Sequence, residues 1–369
     1  MNLAVAKEDM VSGLQAVQSV VSNRPNRPIL SNILLKADGE RLELTGSDLE
    51  VSVVCEIPAK IENGGEITLP AKKLFGITKE LPAGEISISI SDQDQCSIQC
   101  GNSFFKLKGI PSIEYPVPQC PEDVKNFVLE QEDYKDMVKK TQYAISSDES
   151  RHILNGIFHS VKEGKITMVA TDGRRMAMVD KELKDSDEVD VDAVVPTKAI
   201  LELGRLLGNS GQVQISFSET HVQYSLSGES VNPTKILAKL VDGKYPNYRQ
   251  VIPKQVKHRI SIMREEFMQS LRRAELMTSD KSNSVKMTFA SNSLTITANA
   301  PEVGEVRESL AVKFDEEEIS VAFNPSFLID PLKIVEDDEV YFELLDQLSP
   351  GVLKINGPFL YVIMPMRVN

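Results

Sequence analysis

One pattern occurs three times along this chain: strand, amphipathic helix, hairpin, strand, second helix, hairpin. The copies begin near Leu3, Phe127 and His258. A repeated unit restricts a chain to stacked or ring-closed architectures, because neighbouring copies must cover one another's apolar faces. The first helices carry apolar stripes at helical spacing: Met10, Leu14, Val17 and Val21; Tyr134, Met137, Val138, Thr141 and Ile145; Phe267, Leu271 and Ala274. The strands alternate with period two, as in Leu49, Val51, Val53, Cys55 and Ile57, in Ile166, Met168 and Ala170, and in Leu294, Ile296 and Ala298. Each second helix follows a proline signal, in LPAKKLFGITKEL, VPTKAILELGRLL and NPSFLIDPLKIV. Proline there supplies helical φ and loses no needed donor. The spacing predicts helices over 7–22, 71–80, 131–145, 197–207, 264–277 and 325–335, with Pro331 expected to kink or shorten the last.

Strands that outweigh helices and are joined by short turns give an α+β class with antiparallel sheets, two helices per copy covering one face. The 369 residues divide into domains over 1–121, 122–253 and 254–369, with joints near Cys120-Pro121 and Ile252-Pro253. Prolines cannot donate to a ladder, so these joints are expected to separate the sheets of successive copies. The four cysteines, Cys55, Cys96, Cys100 and Cys120, form no CxxC pair and read as buried, reduced thiols. Cys96 and Cys100 should face the same side of a strand. The N-terminal residues lack a basic segment followed by an apolar one, and no run approaches the ~18 apolar residues of a membrane helix. A soluble, cytoplasmic protein is expected.

The net charge of −13 argues by itself against a nucleic-acid binder. The six predicted helices nonetheless hold 13 Lys or Arg against 11 Asp or Glu, a net of +2 that leaves −15 for the rest. Helices tolerate solvated Lys and Arg well, which is one reading. The other is that the helices face a polyanion while an acidic exterior repels nonspecific contacts. Size discriminates between ring closures. A ~120-residue domain is roughly 35 Å across, so three in a ring leave a hole of about 5 Å and six leave about 35 Å. The major groove of DNA alone is ~12 Å wide. One chain therefore cannot encircle a duplex, whereas two joined head to tail can.

Catalytic motifs are missing: there is no GxxxxGK[ST], GxGxxG or HExxH. His152, His159, His221 and His258 lack metal-ligand spacing, so neither metal nor cofactor is expected. The rival class is a nucleotidyltransferase or nuclease using Asp148, Glu149 or Asp172; a repeat-built adaptor that never meets DNA is a third. In TDGRRMAM the Asp-Gly pair marks a hairpin turn, which accounts for Asp172 without catalysis. The other copies have GSDLEV and NAPEVG at this place, so Arg174 and Arg175 read as additions the fold does not need. The ending, LYVIMPMRV, runs from Leu360 to Met366 without alternation. It is either a strand buried on both faces or, given Met364 and Met366, a surface that repacks around varied ligands.

GSDLEVSV, YAISSDESRHILNGI, ATDGRRMAM, VPTKAILEL, KLVDGKYPNYRQVIP and YVIMPMRV occur in order along essentially the whole chain. Together they closely resemble the bacterial DNA polymerase III beta subunits, the sliding clamps. The resemblance implies three tandem clamp domains, with sheets outside and helices inside, closed as a six-domain ring in a homodimer. It also implies a processivity factor that slides on double-stranded DNA without sequence specificity and does no bond chemistry. The implied partners are a second copy, duplex DNA, the polymerase III catalytic subunit, the clamp loader and other proteins with clamp-binding motifs.

By resemblance, a partner-peptide pocket between the second and third domains is lined by Leu154, Thr171, Gly173, Arg174, Arg175, Met176, Pro246, Val251, Asn324, Phe327, Val362, Ile363, Met364, Pro365, Met366 and Arg367. The chain departs from the family pattern at Gln250 (arginine in the best-known member), Phe327 (a tyrosine) and Ser282 (an aromatic), and Asn369 extends the usual end. Candidates for DNA contact are Arg24, Lys72, Lys73, Lys139, Lys140, Arg151, His152 and Lys198, on predicted helices and adjoining loops. A sliding contact touches phosphates alone. Phe105 and Leu107, with Leu276 and Met277, match family interface positions, where Lys106 and Lys108 could face Glu302, Glu305 and Glu308.

Overall fold

The structure, a computed structural model, describes residues 1–22, 27–91, 93–118, 122–184, 188–228, 232–278, 283–300 and 304–367. Arg24, Cys120, Ser282, Glu302 and Asn369 lie outside them. The first copy runs β1 (Asn2–Ala6), α1 (Lys7–Val17), β2 (Asn32–Asp38), β3 (Arg41–Ser47), β4 (Val51–Pro58), β5 (Lys60–Asn63), β6 (Gly65–Pro70), α2 (Ala71–Glu80), β7 (Glu85–Ile90), β8 (Gln95–Cys100) and β9 (Ser103–Lys108). The second runs β10 (Lys125–Glu130), α3 (Gln131–Gln142), β11 (Gly156–Lys162), β12 (Lys165–Thr171), β13 (Arg175–Glu182), β14 (Val191–Pro196), α4 (Thr197–Leu206), β15 (Gln212–Phe217), β16 (His221–Ser227) and β17 (Thr234–Lys239). The third runs β18 (His258–Met263), α5 (Arg264–Glu275), β19 (Val285–Ala290), β20 (Ser293–Ala300), β21 (Gly304–Ala311), β22 (Ile319–Phe323), α6 (Pro325–Ile334), β23 (Glu339–Leu344), β24 (Gly351–Lys354) and β25 (Phe359–Ile363).

Each expected hairpin is thus a three-stranded antiparallel meander, and the third strand changes how the copies join. The sheets do not stop at the copies. One eight-stranded sheet has the order β10-β15-β16-β17-β4-β3-β2-β6, and another has β14-β11-β12-β13-β25-β24-β23-β18. The first copy meets the second where β4 pairs with β17, and the second meets the third where β13 pairs with β25. The expectation that prolines would part the sheets fails for a geometric reason. Pro253 lies in a connection and the Cys120-Pro121 joint lies outside the described residues, while the third meander strands pair across the copies through residues that are not prolines. The chain forms two compact units. The first holds a five-stranded sheet, β5-β1-β7-β8-β9, beside its eight-stranded one; the second holds a four-stranded sheet, β21-β20-β19-β22.

The helical stripes are buried as their spacing requires: Met10, Leu14 and Val17 in α1, Tyr134, Met137 and Val138 in α3, and Phe267, Leu271 and Ala274 in α5. Helix α1 is shorter than expected. It ends at Val17 and tightens into a 3-10 turn over Gln18–Val20, where the β-branched Val20 and the following Val21 resist continued α geometry. Gly46 on β3 passes the end of α1 so closely that a Cβ there would stand 2.3 Å from the Val17 carbonyl oxygen. Leu49, read as strand, sits instead in the β3–β4 turn with φ +80°.

Pro331 does not break α6. Proline has no N–H for the carbonyl four residues earlier, Phe327, which would be an orphan in an apolar setting. The Tyr361 hydroxyl donates to that oxygen at 2.6 Å. Tertiary structure thus supplies the bond that proline withholds.

Cys55, Cys96 and Cys100 are buried free thiols, and the last two share one face of β8. Burial pushes the Cys96 thiol up to about 12, which makes it a poor nucleophile. His159 in β11 is fully buried, and burial holds its imidazole down at about 4 despite a 3.0 Å hydrogen bond to the Ile157 carbonyl. The folded pKa lies below the unfolded one, so this contribution is fully present above pH ~6.5 and is lost as pH falls towards 4. It amounts to about 3 kcal/mol. Urea unfolding at stepped pH should show that loss, and His159→Asn should flatten it.

Candidate functional site

The turn between β12 and β13 is built by its own side chains. Thr171 Oγ donates to the Arg175 carbonyl at 2.6 Å and accepts from the Gly173 N–H at 3.1 Å. Asp172 Oδ1 accepts from the N–H groups of Arg174 (2.9 Å) and Arg175 (3.0 Å). Gly173 has φ +84°, which a side chain would strain. Asp172 is therefore fully occupied as a turn-former.

Arg175 is not the dispensable addition the sequence suggested. Its side chain is only 11% exposed. Nε donates to Asp172 Oδ2 (3.0 Å), Nη1 to Asp330 Oδ2 (2.6 Å) and Nη2 to the Tyr143 carbonyl (2.6 Å). The guanidinium lies 4.3 Å from the Phe327 ring centroid, a cation–π contact. One side chain thus ties the turn to α6 and to the segment following α3. A buried guanidinium has no alternative, since its charge must be met. Tyr143, Asp330 and Tyr361 were invisible as site residues because their partners lie tens to hundreds of positions away. Tyr143 also leaves its hydroxyl buried without a hydrogen-bond partner among the described residues.

The C-terminal segment divides as its two readings allowed. β25 is central in its sheet and buried through Ile363. Beyond it, Met364 and Met366 are 41% and 38% exposed. Their backbones are fixed by two hydrogen bonds, Met364 N–H to the Arg174 carbonyl (2.9 Å) and Met366 N–H to the Ala322 carbonyl (2.8 Å). The register sets Arg175 opposite Ile363 and Met176 opposite Val362. Asn324 caps α6 through Ser326 N–H (3.0 Å). The segment holding Pro246 and Val251 is positioned by Tyr245, stacked on Phe158 at 4.7 Å, and by Tyr248 at 5.9 Å from the same ring. Among the described residues, the hydrogen bonds of the Arg175 side chain go to Asp172, Asp330 and Tyr143 and not to Pro246, Val251 or the buried Leu154. Pro365 is half-buried, while Gly173, Arg174, Arg367 and Val251 are exposed, giving an apolar surface with cationic edges.

The cationic candidates fall into two groups. Lys72, Lys73, Lys139 and His152 are exposed and form no ion pair among the described residues. Lys140 is tied to Asp136 (2.6 Å), Arg151 to Asp148 (2.9 Å) and Lys198 to the buried Asp48. Arg205, missed in the sequence, spans from α4 to the end of α1. It donates to the carbonyls of Gln15 (3.0 Å) and Ala16 (2.7 Å), to Ser19 Oγ (2.6 Å) and to Glu202 (2.8 Å).

Among the sheet edges, β9 ends the five-stranded sheet and β21 ends the four-stranded one. On and beside β9, Phe104 and Phe105 are 56% and 39% exposed, and Leu107 is half-buried; Leu276, just past α5, is 76% exposed, with Met277 half-buried. Glu308 on β21 is not free to face a lysine, because Arg273 grips it at 3.0 and 2.6 Å and lowers its pKa. Among the described residues no cluster of His, Cys, Asp or Glu could hold a metal ion, and no helix is long and apolar enough to cross a membrane.

Three copies of one αβ unit, fused through shared sheets, define the clamp class of repeat protein. Profiles of the DNA polymerase III beta subunit match residues 1–119 (N-terminal domain), 128–247 (central domain) and 249–367 (C-terminal domain). The chain is 31% identical to the beta sliding clamp of Chlamydia muridarum and 33% identical to that of Pseudomonas aeruginosa, each covering 100% of both chains. The P. aeruginosa sliding clamp bound to griselimycin superposes with a TM-score of 0.94 at 32% identity over 100% of both chains. The chain belongs to the DNA polymerase III beta subunit family, the beta sliding clamps, and is a non-catalytic DNA-replication factor.

Proposed function

We propose that two copies of this chain close head to tail into a ring around duplex DNA and tether DNA polymerase III and other replication proteins through the surface around Met364. The observation that carries ring closure is the pattern of strand pairing. At each internal joint, the third strand of one copy's first meander pairs with the last strand of the next copy. Val53 faces Ile236 at one joint and Ala177 faces Tyr361 at the other. The equivalent strands left over are β21 and β9. Val306 pairs with Ala298 as Val53 does with Gly46 and Ala177 with Ala170. Phe105 pairs with Ile98 as Ile236 does with Tyr224 and Tyr361 with Leu353. A third joint of the same kind, made between chains, puts Phe105 opposite Val306 and Lys106 opposite Glu305. It also covers two raw edges that otherwise invite aggregation.

Lys72, Lys73, Lys139 and His152 are the contacts we assign to DNA phosphates, with Arg24 added from the sequence. Encirclement allows each to be weak, because retention is topological. The three tandem domains take the boundaries 1–121, 122–253 and 254–369, and the working compartment is the cytoplasm. Loaded onto a nicked circular duplex, the protein should stay bound at high salt and fall off within seconds of linearisation. Equal retention on circle and line would exclude a ring.

The adaptable methionines and the Phe327–Arg175 platform support the peptide surface, as does the griselimycin-bound relative. Deleting residues 364–369 should abolish binding of a labelled polymerase clamp-motif peptide while sedimentation still reports a dimer. Peptide affinity unchanged by the deletion would reject the assignment.

A further inference from the structure

A cavity of about 550 Å³ lies in the first compact unit, between the end of α1, the start of α2 and Arg205 of α4. That volume is in the range of small-ligand sites. Its lining is unusual for a chain of net charge −13: three cations, Lys72, Lys73 and Arg205, and no acidic residue among the described residues. Arg205 is already neutralised by Glu202, but the two lysines have no ion-pair partner among the described residues. They occupy the first turn of α2, which starts at Pro70 without a side-chain cap, so the uncapped amide end adds to the positive potential. Gln15 and Gln18, on α1 and the 3-10 turn beyond it, line the same cavity. Their carboxamides form no side-chain hydrogen bond among the described residues and offer both donors and acceptors. Ser19 is held by Arg205 and Glu202, which stiffens this wall.

We propose that this cavity binds a single nucleotide, its phosphates on Lys72 and Lys73 and its base against Gln15 and Gln18. A row of lysines along a DNA track needs only an open surface. A cavity that combines two lysines outside any ion pair with two carboxamides offers groups for both the phosphates and the base of a detached nucleotide unit. The ligand is either a free nucleotide or the unpaired 5′-phosphorylated end of a strand. The assignment does not require the ring.

The test uses the full-length protein with a fluorescent ATP analogue followed by anisotropy. Competitors are ATP, a 5′-phosphorylated oligothymidylate and inorganic tripolyphosphate. ATP or the oligonucleotide should displace the probe at least tenfold better than tripolyphosphate, and the better of the two identifies the source. Lys72→Ala/Lys73→Ala should weaken binding at least tenfold. Gln15→Ala/Gln18→Ala, which leaves the packed face of α1 intact, should bring ATP and tripolyphosphate to equal affinity. Gln18→Phe, checked by thermal melting, should fill the cavity and abolish nucleotide binding while retention on circular duplex is unchanged. Failure of both nucleotides to displace the probe at millimolar concentration overturns the proposal. So does displacement by tripolyphosphate as good as by ATP, or a Gln15/Gln18 variant that binds like the parent. Loss of duplex retention with nucleotide binding intact would count against the ring alone.

Discussion

Phe105→Asp should convert the protein from dimer to monomer at micromolar concentration, read by sedimentation velocity, with retention on circular DNA lost in parallel. Phe105 sits on an unpaired edge, is 39% exposed and falls at the centre of the register inferred for the third joint. An aromatic anchor in the middle of an interface commonly contributes 2 kcal/mol or more, roughly thirtyfold in dissociation constant. A carboxylate there would also be desolvated opposite Val306 and beside Glu305. The register supplies an internal control. Lys106→Glu should weaken the dimer by facing Glu305, and Glu305→Lys in the same chain should restore it. Rescue by Glu308→Lys instead would shift the strand pairing, and rescue by neither would remove the β9–β21 joint.

Arg175→Ala should lower unfolding stability by about 3 kcal/mol and abolish peptide binding. The penalty comes less from a lost attraction than from what is left behind. Asp172, at 18% exposure, would lose its guanidinium partner, Asp330, at 29%, would be left with Lys333 at 3.6 Å, and the Tyr143 carbonyl would lose its donor. Arg175→Met/Asp330→Leu should recover most of the stability, since a packed apolar pair often equals a buried ion pair. It should not recover peptide binding if the guanidinium's contact with Phe327 shapes the surface. Urea titration and peptide anisotropy on the same variants separate the two effects.

The periodicities that identify helices and strands are local, so they were legible in the sequence. Met10, Leu14 and Val17 need only each other's spacing to declare a buried face. The turn at Asp172 and Gly173 was legible for the same reason. What escaped was every feature whose cause lies elsewhere in the chain. Pro331 reads as a helix breaker because nothing nearby announces that Tyr361 will satisfy the Phe327 carbonyl. Arg175 reads as an addition because its partners come from three separate elements. Lys140, Arg151 and Lys198 read as free cations because an ion pair depends on rotamers as well as on type. The sheet continuity escaped because the joining strands belong to different copies, and pairing between copies leaves no trace in either copy alone.

Sharing sheets across copies has a consequence for how such a chain can be divided. Cutting at the prolines would split both eight-stranded sheets down the middle, at β4–β17 and β13–β25, leaving ladders of bare amides. The genetic unit and the cohesive unit are therefore out of phase by half a period. Triplication of one segment yields a polypeptide whose separate thirds are incomplete, and whose ends are left wanting the same complement that its interior already possesses.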